Sequence, residues 1–424
     1  MALGQKDQAK FKKETIKLTK DGSFTLPSEV LKKLGLSDAS ELNIGICGND
    51  VEILPNIHSL AKLYIEPTAQ CNLTCKTCIR NTWNEKMGEM KIEVFDKLIE
   101  QLKKFNHLQT VMFGGFGEPT YHKDILYMIQ KVKALGVRVE MTTNGTLLDE
   151  NMLKGLFDCK LDTLWVSFDG TDNEKFEEVR RGASFVSVMD RLQMLKRLNW
   201  SSQHKIELGI TFVAMKTNIN ELSRLHRFIS KVDARKVSIS NVLPYEPEMT
   251  EQMLCSNAVT ENLIYGSSWE AEVSIPKFDM NDSTKDALHS LLRFNKNIKR
   301  MGHKKIYDQD RSCRFINDRS TFIRWDGKVS PCMGLIHSYN TYIQRYERRI
   351  EAYLLGNIED LELIDIWNSE EYTLFRERVY QFDFSPCQMC GGCDNVESNK
   401  EDCFGNKEPV CGACLWAHGV IQCP

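Results

Sequence analysis

The sequence predicts an α/β fold built on a parallel sheet, with a small β-rich region before it and a cysteine-rich region after it. Three observations support this prediction. From residue 61 to residue 240, strand patterns alternate with helical spacing of apolar residues. The first of these strands leads directly into a loop with three cysteines, and nine of the fifteen cysteines follow residue 312. We therefore predict three domains, at residues 1–57, 58–305 and 306–424.

Six short apolar runs are predicted to be the strands of the sheet. They are Ala61–Glu66, Thr110–Phe113, Val137–Met141, Leu161–Ser167, Ile206–Val213 and Val237–Ser240. The segments between them carry apolar residues at helical spacing, as in Glu93–Leu102. Strands joined by helices run parallel, so their carboxyl ends meet at one edge of the sheet.

Composition and charge exclude several classes of protein. Hydrophobic residues make up 42% and charged residues 27% of the 424, which is typical of a globular chain. No run of 18 apolar residues is present to span a membrane, and Met1–Gln8 lacks the apolar core of a signal peptide. We therefore expect a cytoplasmic location, where thiols stay reduced. The net charge of −3 gives no general attraction to nucleic acid or to anionic membranes.

The first strand runs into a loop, Cys71–Cys78, that carries cysteines at 71, 75 and 78. Three thiolates can hold three corners of an iron–sulfur cluster that usually takes four, which leaves one iron open for chemistry. A structural zinc site usually needs four ligands, and a disulfide needs an oxidising compartment. The loop also follows a strand, where β/α barrels place their active sites. The spacing therefore favours an iron–sulfur cluster.

The pattern C-x3-C-x2-C of this loop resembles the signature of the radical S-adenosylmethionine (SAM) enzymes. The resemblance implies a partial, six-stranded (β/α) barrel and a 4Fe–4S cluster held by Cys71, Cys75 and Cys78. It also implies that SAM binds the open iron through its amine and carboxylate. Most members carry an aromatic residue before the third cysteine, where this chain has Thr77.

Gly114-Gly115-Phe116-Gly117-Glu118 follows the second predicted strand and resembles the Gly-Gly-Glu motif of that family, with Phe116 inserted. Glycines let the backbone approach a ligand closely. The resemblance implies that Gly114, Gly115 and Gly117 border SAM and that Glu118 receives its ammonium group. A plain glycine-rich turn is the alternative interpretation.

Two further strand ends carry candidate SAM contacts. Thr143 and Asn144 can hydrogen-bond ribose hydroxyls or a carboxylate, although Asn144-Gly145 is also a good turn. Ser167 belongs to Ser-Phe-Asp-Gly, which resembles the fourth-strand motif of the family. Arg180 or Arg181 is a candidate partner of the SAM carboxylate, with a surface arginine as the alternative.

The region after residue 312 resembles a SPASM domain, an iron–sulfur module. Cys313, Gly327 and Cys332 have the spacing C-x13-G-x4-C, and Asp326-Gly327 predicts a hairpin turn. The remaining candidate ligands are Cys387, Cys390, Cys393, Cys403, Cys411, Cys414 and Cys423. The resemblance implies two auxiliary 4Fe–4S clusters, for which nine cysteines leave one spare. Paired C-x2-C is also zinc spacing, which is the alternative.

The other three cysteines, at positions 47, 159 and 255, have no partner spacing and are interpreted as structural thiols.

The N-terminal region resembles the AbrB-type swapped-hairpin fold. Its pattern is strand Glu14–Lys20, strand Ser23–Leu26, a helix that starts at Pro27-Ser28 and ends at Gly35, then strands Leu42–Ile46 and Val51–Leu54. Members of that fold are often DNA-binding dimers. A DNA reader should show a basic face, but residues 1–55 carry eight Lys against eight Asp or Glu. We therefore favour docking or homodimerisation over DNA binding or a plain structural cap.

The resemblance to the radical SAM/SPASM family implies an enzyme that cleaves SAM reductively to a 5′-deoxyadenosyl radical and abstracts hydrogen from a substrate. The segments Cys78–Trp83, Phe113–Pro119 and Cys411–Ala417 are similar to the radical SAM maturases of tungsten-cofactor oxidoreductases. The expected partners are a peptide, protein or cofactor precursor and an electron donor such as ferredoxin or flavodoxin. A ribosomal-peptide thioether or quinone-cofactor maturase is one alternative. An iron–sulfur redox-sensing DNA-binding regulator is another.

Overall fold

The fold is described from a computed structural model of the chain. The described residues are 20, 25–34, 43–47, 50–54, 56–254, 272–275, 278–294, 298–300, 312–343, 346–385 and 394–424. Near the N-terminus they include helix α1 (Ser28–Leu34) and strands β1 (Asn43–Cys47) and β2 (Asp50–Leu54), which pair antiparallel. This confirms the predicted helix and the last two predicted strands.

The rest of the N-terminal prediction is only partly covered. Thr25 and Leu26 lie outside any strand, and of Glu14–Lys20 only Lys20, in a turn, is described. The AbrB-like arrangement and its dimer stay predictions.

Eight parallel strands of the described residues form one side of a larger sheet, with the last of them at its edge. They are β3 (Lys62–Ile65), β4 (Thr110–Phe113), β5 (Arg138–Thr143), β6 (Thr163–Ser167), β7 (Glu207–Ala214), β8 (Lys236–Asn241), β9 (Glu272–Ile275) and β10 (Ile298–Arg300). Each pairs with the next in chain order. The predicted α/β class and its six strands are confirmed, and β9 and β10 extend the sheet beyond the prediction.

Helices connect these strands along the chain, and most of their buried residues share the main core with the strands. They are α2 (Ile92–Leu102), α3 (Ile125–Lys133), α4 (Glu150–Asp158), α5 (Asn173–Val179), α6 (Phe185–Ser201), α7 (Leu222–Val232), α8 (Pro247–Thr250) and α9 (Lys285–Phe294). In α2 the apolar residues Val94, Phe95, Leu98 and Leu102 recur at helical spacing, and all four are buried. The side chains of Asp149 and Ser184 cap α4 and α6 by accepting backbone hydrogen bonds.

The cysteine-rich region contributes its own elements. They are α10 (Arg314–Asn317), β11 (Ser320–Ile323), β12 (Lys328–Ser330), β13 (Tyr339–Ile343), β14 (Tyr346–Ile350), β15 (Gly356–Asn357), α11 (Leu363–Trp367) and α12 (Glu370–Gln381). Strands β11 and β12 form the predicted hairpin, and Gly327 at its turn has a φ of +80°, which glycine adopts without strain.

This region continues the parallel sheet. Strand β11 pairs parallel with β3, so that Phe322 lies opposite Tyr64, and the two rings stack with centroids 5.4 Å apart. Met112 and Trp165, from β4 and β6, pack in the same buried cluster. The cysteine-rich region is therefore joined to the core of the sheet through β11.

Within the described segments, no helix has both the length and the apolar character needed to cross a bilayer.

Candidate functional site

The loop with Cys71, Cys75 and Cys78 lies at the carboxyl end of β3 and is fixed to the segment around α5. The Thr74 N–H donates to the Arg181 carbonyl at 3.2 Å, and the Lys76 N–H donates to the Val179 carbonyl at 2.8 Å. A short 3-10 helix, Ile79–Thr82, follows the loop. These backbone bonds hold the cysteine loop at the edge of the sheet where the other strand ends meet.

Polar hydrogens already point at two of the three thiols. Cys71 Sγ accepts hydrogen bonds from the Leu73 N–H at 3.4 Å and from Asn144 Nδ2 at 3.6 Å. Cys78 Sγ accepts one from Arg80 Nε at 3.3 Å. Donors of this kind stabilise thiolates and tune the potential of an iron–sulfur cluster.

The three thiols fit a cluster by their chemistry. Burial, against the opposing effect of Arg180 and together with the negative charges of Cys78, Asp169 and Cys71, raises the pKa of Cys75 to about 11. Three mutually repelling thiolates need a bound cation to stay deprotonated. Among the described residues, no three His, Cys, Asp or Glu are arranged to hold a single metal ion. Three thiol ligands on one loop fit a cluster that keeps one iron open.

The glycine turn after β4 packs tightly on its neighbours. A Cβ at Gly117 would lie 1.9 Å from the Thr68 carbonyl oxygen, and one at Gly114 would lie 2.7 Å from Thr142 Oγ1. Gly115 has a φ of +142°, and a Cβ there would lie 2.7 Å from Glu66 Cγ. The glycines therefore let this turn pack against the ends of β3 and β5, which places it beside the cysteine loop.

Glu118 ties the end of β4 to the end of β5. Its side chain is 2% exposed. Oε1 accepts from Thr120 N at 3.0 Å, Thr120 Oγ1 at 2.5 Å and Thr143 Oγ1 at 2.7 Å, and Oε2 accepts from Asn144 N at 2.6 Å. Burial raises the pKa of Glu118 even though these donors act to lower it. Three of these donors share Oε1 and one reaches Oε2, so the Glu118 carboxylate is already engaged within the protein.

Thr143 and Asn144 lie beside the cysteine loop, as the position of β5 requires. Asn144 is 5% exposed, and its Nδ2 donates both to Cys71 Sγ and to Asn72 Oδ1, the latter at 3.0 Å. Its Oδ1 accepts from the Thr146 N–H at 2.8 Å. Asn144 is thus the direct link between the end of β5 and the first cysteine.

Arg180 is held below the surface by Asp169. Arg180 Nη2 lies 2.7 Å from Asp169 Oδ2, with the two side chains 12% and 1% exposed. Arg180 also acts on the pKa of Cys75, whereas Arg181 is exposed. The structure thus excludes the surface interpretation for Arg180.

Ser167 lies at the end of β6, and its Oγ accepts a hydrogen bond from Thr211 Oγ1 at 3.1 Å.

Sequence reasoning missed three groups at this edge. Arg80 follows the third cysteine by two positions, which was a local signal for a contact with its sulfur. Glu66 follows β3 directly and is fully buried. His337 contacts Glu66 across 271 positions of the chain, for which the sequence carries no signal.

Four cysteines of the C-terminal region face one apolar cavity. Cys313, Cys332, Cys411 and Cys414 line it, together with Tyr339 and other side chains. Burial raises the pKa of Cys313 to about 12, and the Cys414 thiolate adds to the effect. Burial also raises the pKa of Cys332, and the negative charges of Cys313, Cys414 and Cys411 raise it by smaller amounts. Four thiols that line one cavity and repel one another match, in number and type, the ligands that a four-cysteine cluster needs.

The other cysteines of this region are placed differently. Cys423 Sγ accepts from Trp416 Nε1 at 3.3 Å and lies 3.4 Å from Met333 Sδ, whereas Cys403 is exposed. Cys387, Cys390 and Cys393 lie outside the described residues.

The cysteines interpreted as structural thiols lie away from both groups or cannot be placed. Cys159 is half-buried, and its thiol donates to the Leu126 carbonyl at 3.3 Å. The Cys47 side chain and the whole of Cys255 lie outside the described part of the chain.

Two family models match the chain. The Radical SAM superfamily model matches residues 65–229, which include the cysteine loop and the ends of β3 to β7. The SPASM model, an iron–sulfur cluster-binding domain, matches residues 313–394. The two domains imply SAM and iron–sulfur clusters as cofactors.

Similar proteins agree with these matches. The chain is 30% identical over 372 residues to the tungsten-containing aldehyde ferredoxin oxidoreductase cofactor-modifying protein of Pyrococcus furiosus, covering 85% of this chain and 96% of the relative. It is 28% identical over 189 residues to a probable GTP 3′,8-cyclase of Methanococcus maripaludis, covering 43% of this chain and 59% of that protein.

Solved structures show the same fold at low identity. Streptococcus suis SuiB bound to S-adenosylmethionine superimposes with a TM-score of 0.53 at 16% identity, covering 80% of this chain and 72% of SuiB. The anSMEcpe protein with bound AdoMet gives a TM-score of 0.53 at 18% identity, covering 80% and 87%. With the full-length similarity to the Pyrococcus protein, the matches show that this chain belongs to the radical SAM superfamily and is an enzyme with a SPASM iron–sulfur domain.

Proposed function

We propose that this enzyme cleaves SAM reductively and abstracts hydrogen from a peptide, protein or cofactor precursor during the maturation of a tungsten-dependent oxidoreductase. The similarity to the Pyrococcus protein, over 96% of its length, carries the tungsten part of the proposal. The geometry of the cysteine loop carries the chemical part, because its thiols lie beside hydrogen-bond donors and beside the glycine turn.

Cys71, Cys75 and Cys78 would hold the SAM-binding 4Fe–4S cluster. When bound, this cluster and SAM supply the cleavage that yields methionine and a 5′-deoxyadenosyl radical. Arg80 and Asn144 donate to two of the sulfurs, which stabilises negative charge on them.

SAM itself would lie along the ends of β4, β5 and β6. We propose that Gly114, Gly115, Gly117 and Glu118 form its border on β4, with Glu118 acting chiefly by fixing the position of Asn144. Thr143, Asn144, Ser167 and Arg180 complete this set from the neighbouring strands. Their placement at one sheet edge supports the assignment.

An apolar cluster next to the cysteine loop would keep water from the reacting atoms. It joins Ile79, directly after the loop, to Tyr245 after β8 and to Leu415 of the C-terminal region, with Trp83 and Phe116 packed against it. A closed apolar wall of this kind protects a reactive species from side reactions.

We propose two auxiliary clusters, making three 4Fe–4S clusters in all. The cavity cysteines Cys313, Cys332, Cys411 and Cys414 hold one of them. The other would draw on Cys387, Cys390 and Cys393 with either Cys403 or Cys423, which leaves one cysteine spare.

Several features of the proposal rest on the sequence. These are the domain division at residues 1–57, 58–305 and 306–424, a ferredoxin or flavodoxin as electron donor, and a homodimer through the N-terminal domain. A cytoplasmic location suits oxygen-sensitive clusters and reduced thiols.

The direct test is SAM cleavage by the anaerobically reconstituted enzyme. With dithionite as reductant we expect 5′-deoxyadenosine and methionine, and Cys159→Ala, away from the loop, should behave like the wild type. No deoxyadenosine from an iron-loaded preparation would contradict the proposal.

The substrate is tested by supplying either the cofactor-free tungsten oxidoreductase with its cofactor precursors or a peptide encoded beside this gene. We expect the first to raise deoxyadenosine formation and to change in mass. A mass change confined to the peptide would instead favour a peptide thioether maturase.

A further inference from the structure

A buried histidine of the C-terminal region lies between two carboxylates of the radical SAM region. His337 Nδ1 is 2.7 Å from Glu85 Oε2, and Nε2 is 3.2 Å from Glu66 Oε2. The side chains of His337 and Glu66 are 1% and 0% exposed, and that of Glu85 is 30% exposed. A neutral imidazole can donate to only one of these carboxylates, whereas an imidazolium donates to both.

Glu66 connects this histidine to the glycine turn. Its other oxygen, Oε1, accepts the Phe116 N–H at 3.1 Å. Glu66 leaves no room for a Cβ at Gly115, so its side chain is in direct contact with the backbone of the turn. The Phe116 and His337 rings also both contact Trp83, with centroid distances of 5.4 Å and 4.1 Å.

Glu85 connects the histidine to the region of the auxiliary cavity. Its Oε1 accepts the Ser338 N–H at 2.9 Å, and the next residue, Tyr339, lines the cavity of four cysteines. Arg324 Nη1 lies 3.3 Å from Glu85 Oε2, while Arg324 Nη2 lies 2.6 Å from Asp326. Within the described part of the chain, Glu66 and Glu85 are the charged groups that contact His337, and Arg324 and Asp326 follow behind Glu85. A protonated ring balances the charge of Glu66, as Arg324 balances that of Glu85.

We propose that protonated His337, held by Glu66 and Glu85, acts as a positioning residue that fixes the Gly114–Glu118 turn in the conformation that binds SAM. The inference rests on the proposed role of this turn in SAM binding. It assigns to the C-terminal region a part in cofactor binding that is separate from its cluster cysteines. It also makes SAM affinity depend on the charge of a group that need not touch SAM.

The direction of the pH dependence follows from the surroundings of the ring. Burial acts to lower the pKa of His337, but the hydrogen bonds and charges of Glu66 and Glu85 outweigh it and raise the pKa above its ordinary value. The protonated ring therefore holds both carboxylates at and below about pH 6.5, the ordinary pKa of histidine. One of these two hydrogen bonds is lost as the pH rises through the higher pKa that His337 has in the folded protein. SAM affinity should fall over the same interval.

The test measures SAM binding to the anaerobically reconstituted full-length enzyme by calorimetry between about pH 6 and pH 9, an interval that begins near the ordinary histidine pKa. For His337→Gln we expect affinity about tenfold weaker than wild type at the low end, an effect of the size of one charge-assisted hydrogen bond. Any pH dependence of SAM affinity that His337→Gln retains comes from SAM itself and from other titrating groups. The wild-type enzyme should show a larger change of SAM affinity over the same pH interval. His204→Gln is the matched control, because His204 Nε2 contacts the Leu161 carbonyl, at 2.7 Å, and not the group formed by Glu66, His337 and Glu85.

Glu85→Gln provides a second, milder variant should His337→Gln fail to fold. Losing one carboxylate lowers the pKa of His337, so the fall in SAM affinity should move to lower pH while SAM still binds. The inference is overturned if wild type and His337→Gln show the same pH profile, or if Glu85→Gln leaves the midpoint in place. A wild-type enzyme that binds no SAM at any pH would instead refute the proposed function, and this inference with it.

Discussion

Replacing Glu118 with glutamine tests whether this carboxylate fixes the protein or binds SAM directly. Glu118→Gln keeps the shape of the side chain but removes its charge and one acceptor. A glutamine oxygen in the place of Oε1 would still meet the donors of Thr120 and Thr143. Its NH₂ group would then face the N–H of Asn144, which now donates to Oε2 at 2.6 Å.

The expected loss of stability follows from the four hydrogen bonds. A bond to a charged acceptor is worth about 1.5–3 kcal/mol and one to a neutral acceptor about 0.5–1.5 kcal/mol. Losing one bond and weakening three therefore amounts to roughly 5 kcal/mol. Burying the charge of Glu118 costs free energy, and this cost is the reason that its pKa is raised. A neutral glutamine avoids the cost, which offsets the loss by a few kcal/mol. We expect a net local destabilisation of about 2–3 kcal/mol.

Hydrogen exchange at the amide of Asn144 measures this loss where it occurs. A destabilisation of this size should speed its exchange on the order of 100-fold. SAM affinity of the reconstituted enzyme should fall about tenfold, the effect of about 1.4 kcal/mol, because Asn144 also donates to Cys71 Sγ. Glu140→Gln is the matched control, since Glu140 is buried in β5, the strand that leads to Asn144, and is bonded to Arg138 and Trp165. It should lose stability without losing SAM affinity.

One result would refute this reasoning. If Glu118→Gln weakens SAM binding while exchange at Asn144 stays as in the wild type, Glu118 contacts SAM itself. The sequence-based expectation that it receives the ammonium group would then stand.

Three further predictions concern the clusters. Replacing Cys71, Cys75 and Cys78 together with alanine should abolish deoxyadenosine formation but leave the C-terminal iron in place, and undiminished cleavage would contradict the assignment. Changing all four cysteines of the auxiliary cavity to serine should remove about four iron and four sulfide per chain by elemental analysis, whereas Cys159→Ser should remove none; full iron content in the fourfold variant would contradict that ligand set. Arg80→Gln should lower the midpoint potential of the SAM-binding cluster by on the order of tens of millivolts in an EPR-monitored titration, because a positive donor to Cys78 Sγ is lost. Arg80→Lys should shift it less, and an unchanged potential in Arg80→Gln would exclude tuning by this residue.

Short-range features of this protein could be predicted from the sequence. The C-x3-C-x2-C loop places its thiols through eight consecutive residues, so spacing alone indicates the cluster. The six strands β3–β8 follow from local apolar runs and the helical segments between them, and Asp326-Gly327 predicts its turn by local conformation. Such signals depend on neighbours in the chain, which a sequence displays directly.

The tertiary structure alone decided which distant groups meet. Cys313 and Cys332 share a cavity with Cys411 and Cys414 only because β11 joins the sheet beside β3 and the C-terminal segment folds back over it. Sequence also could not show that Thr143 and Asn144 donate to Glu118, since they lie at the end of the next strand, 25 and 26 positions away. His337 and Glu66 lie 271 positions apart. Contacts of this kind depend on how parallel strands are ordered and covered, and no local pattern of residues specifies that order.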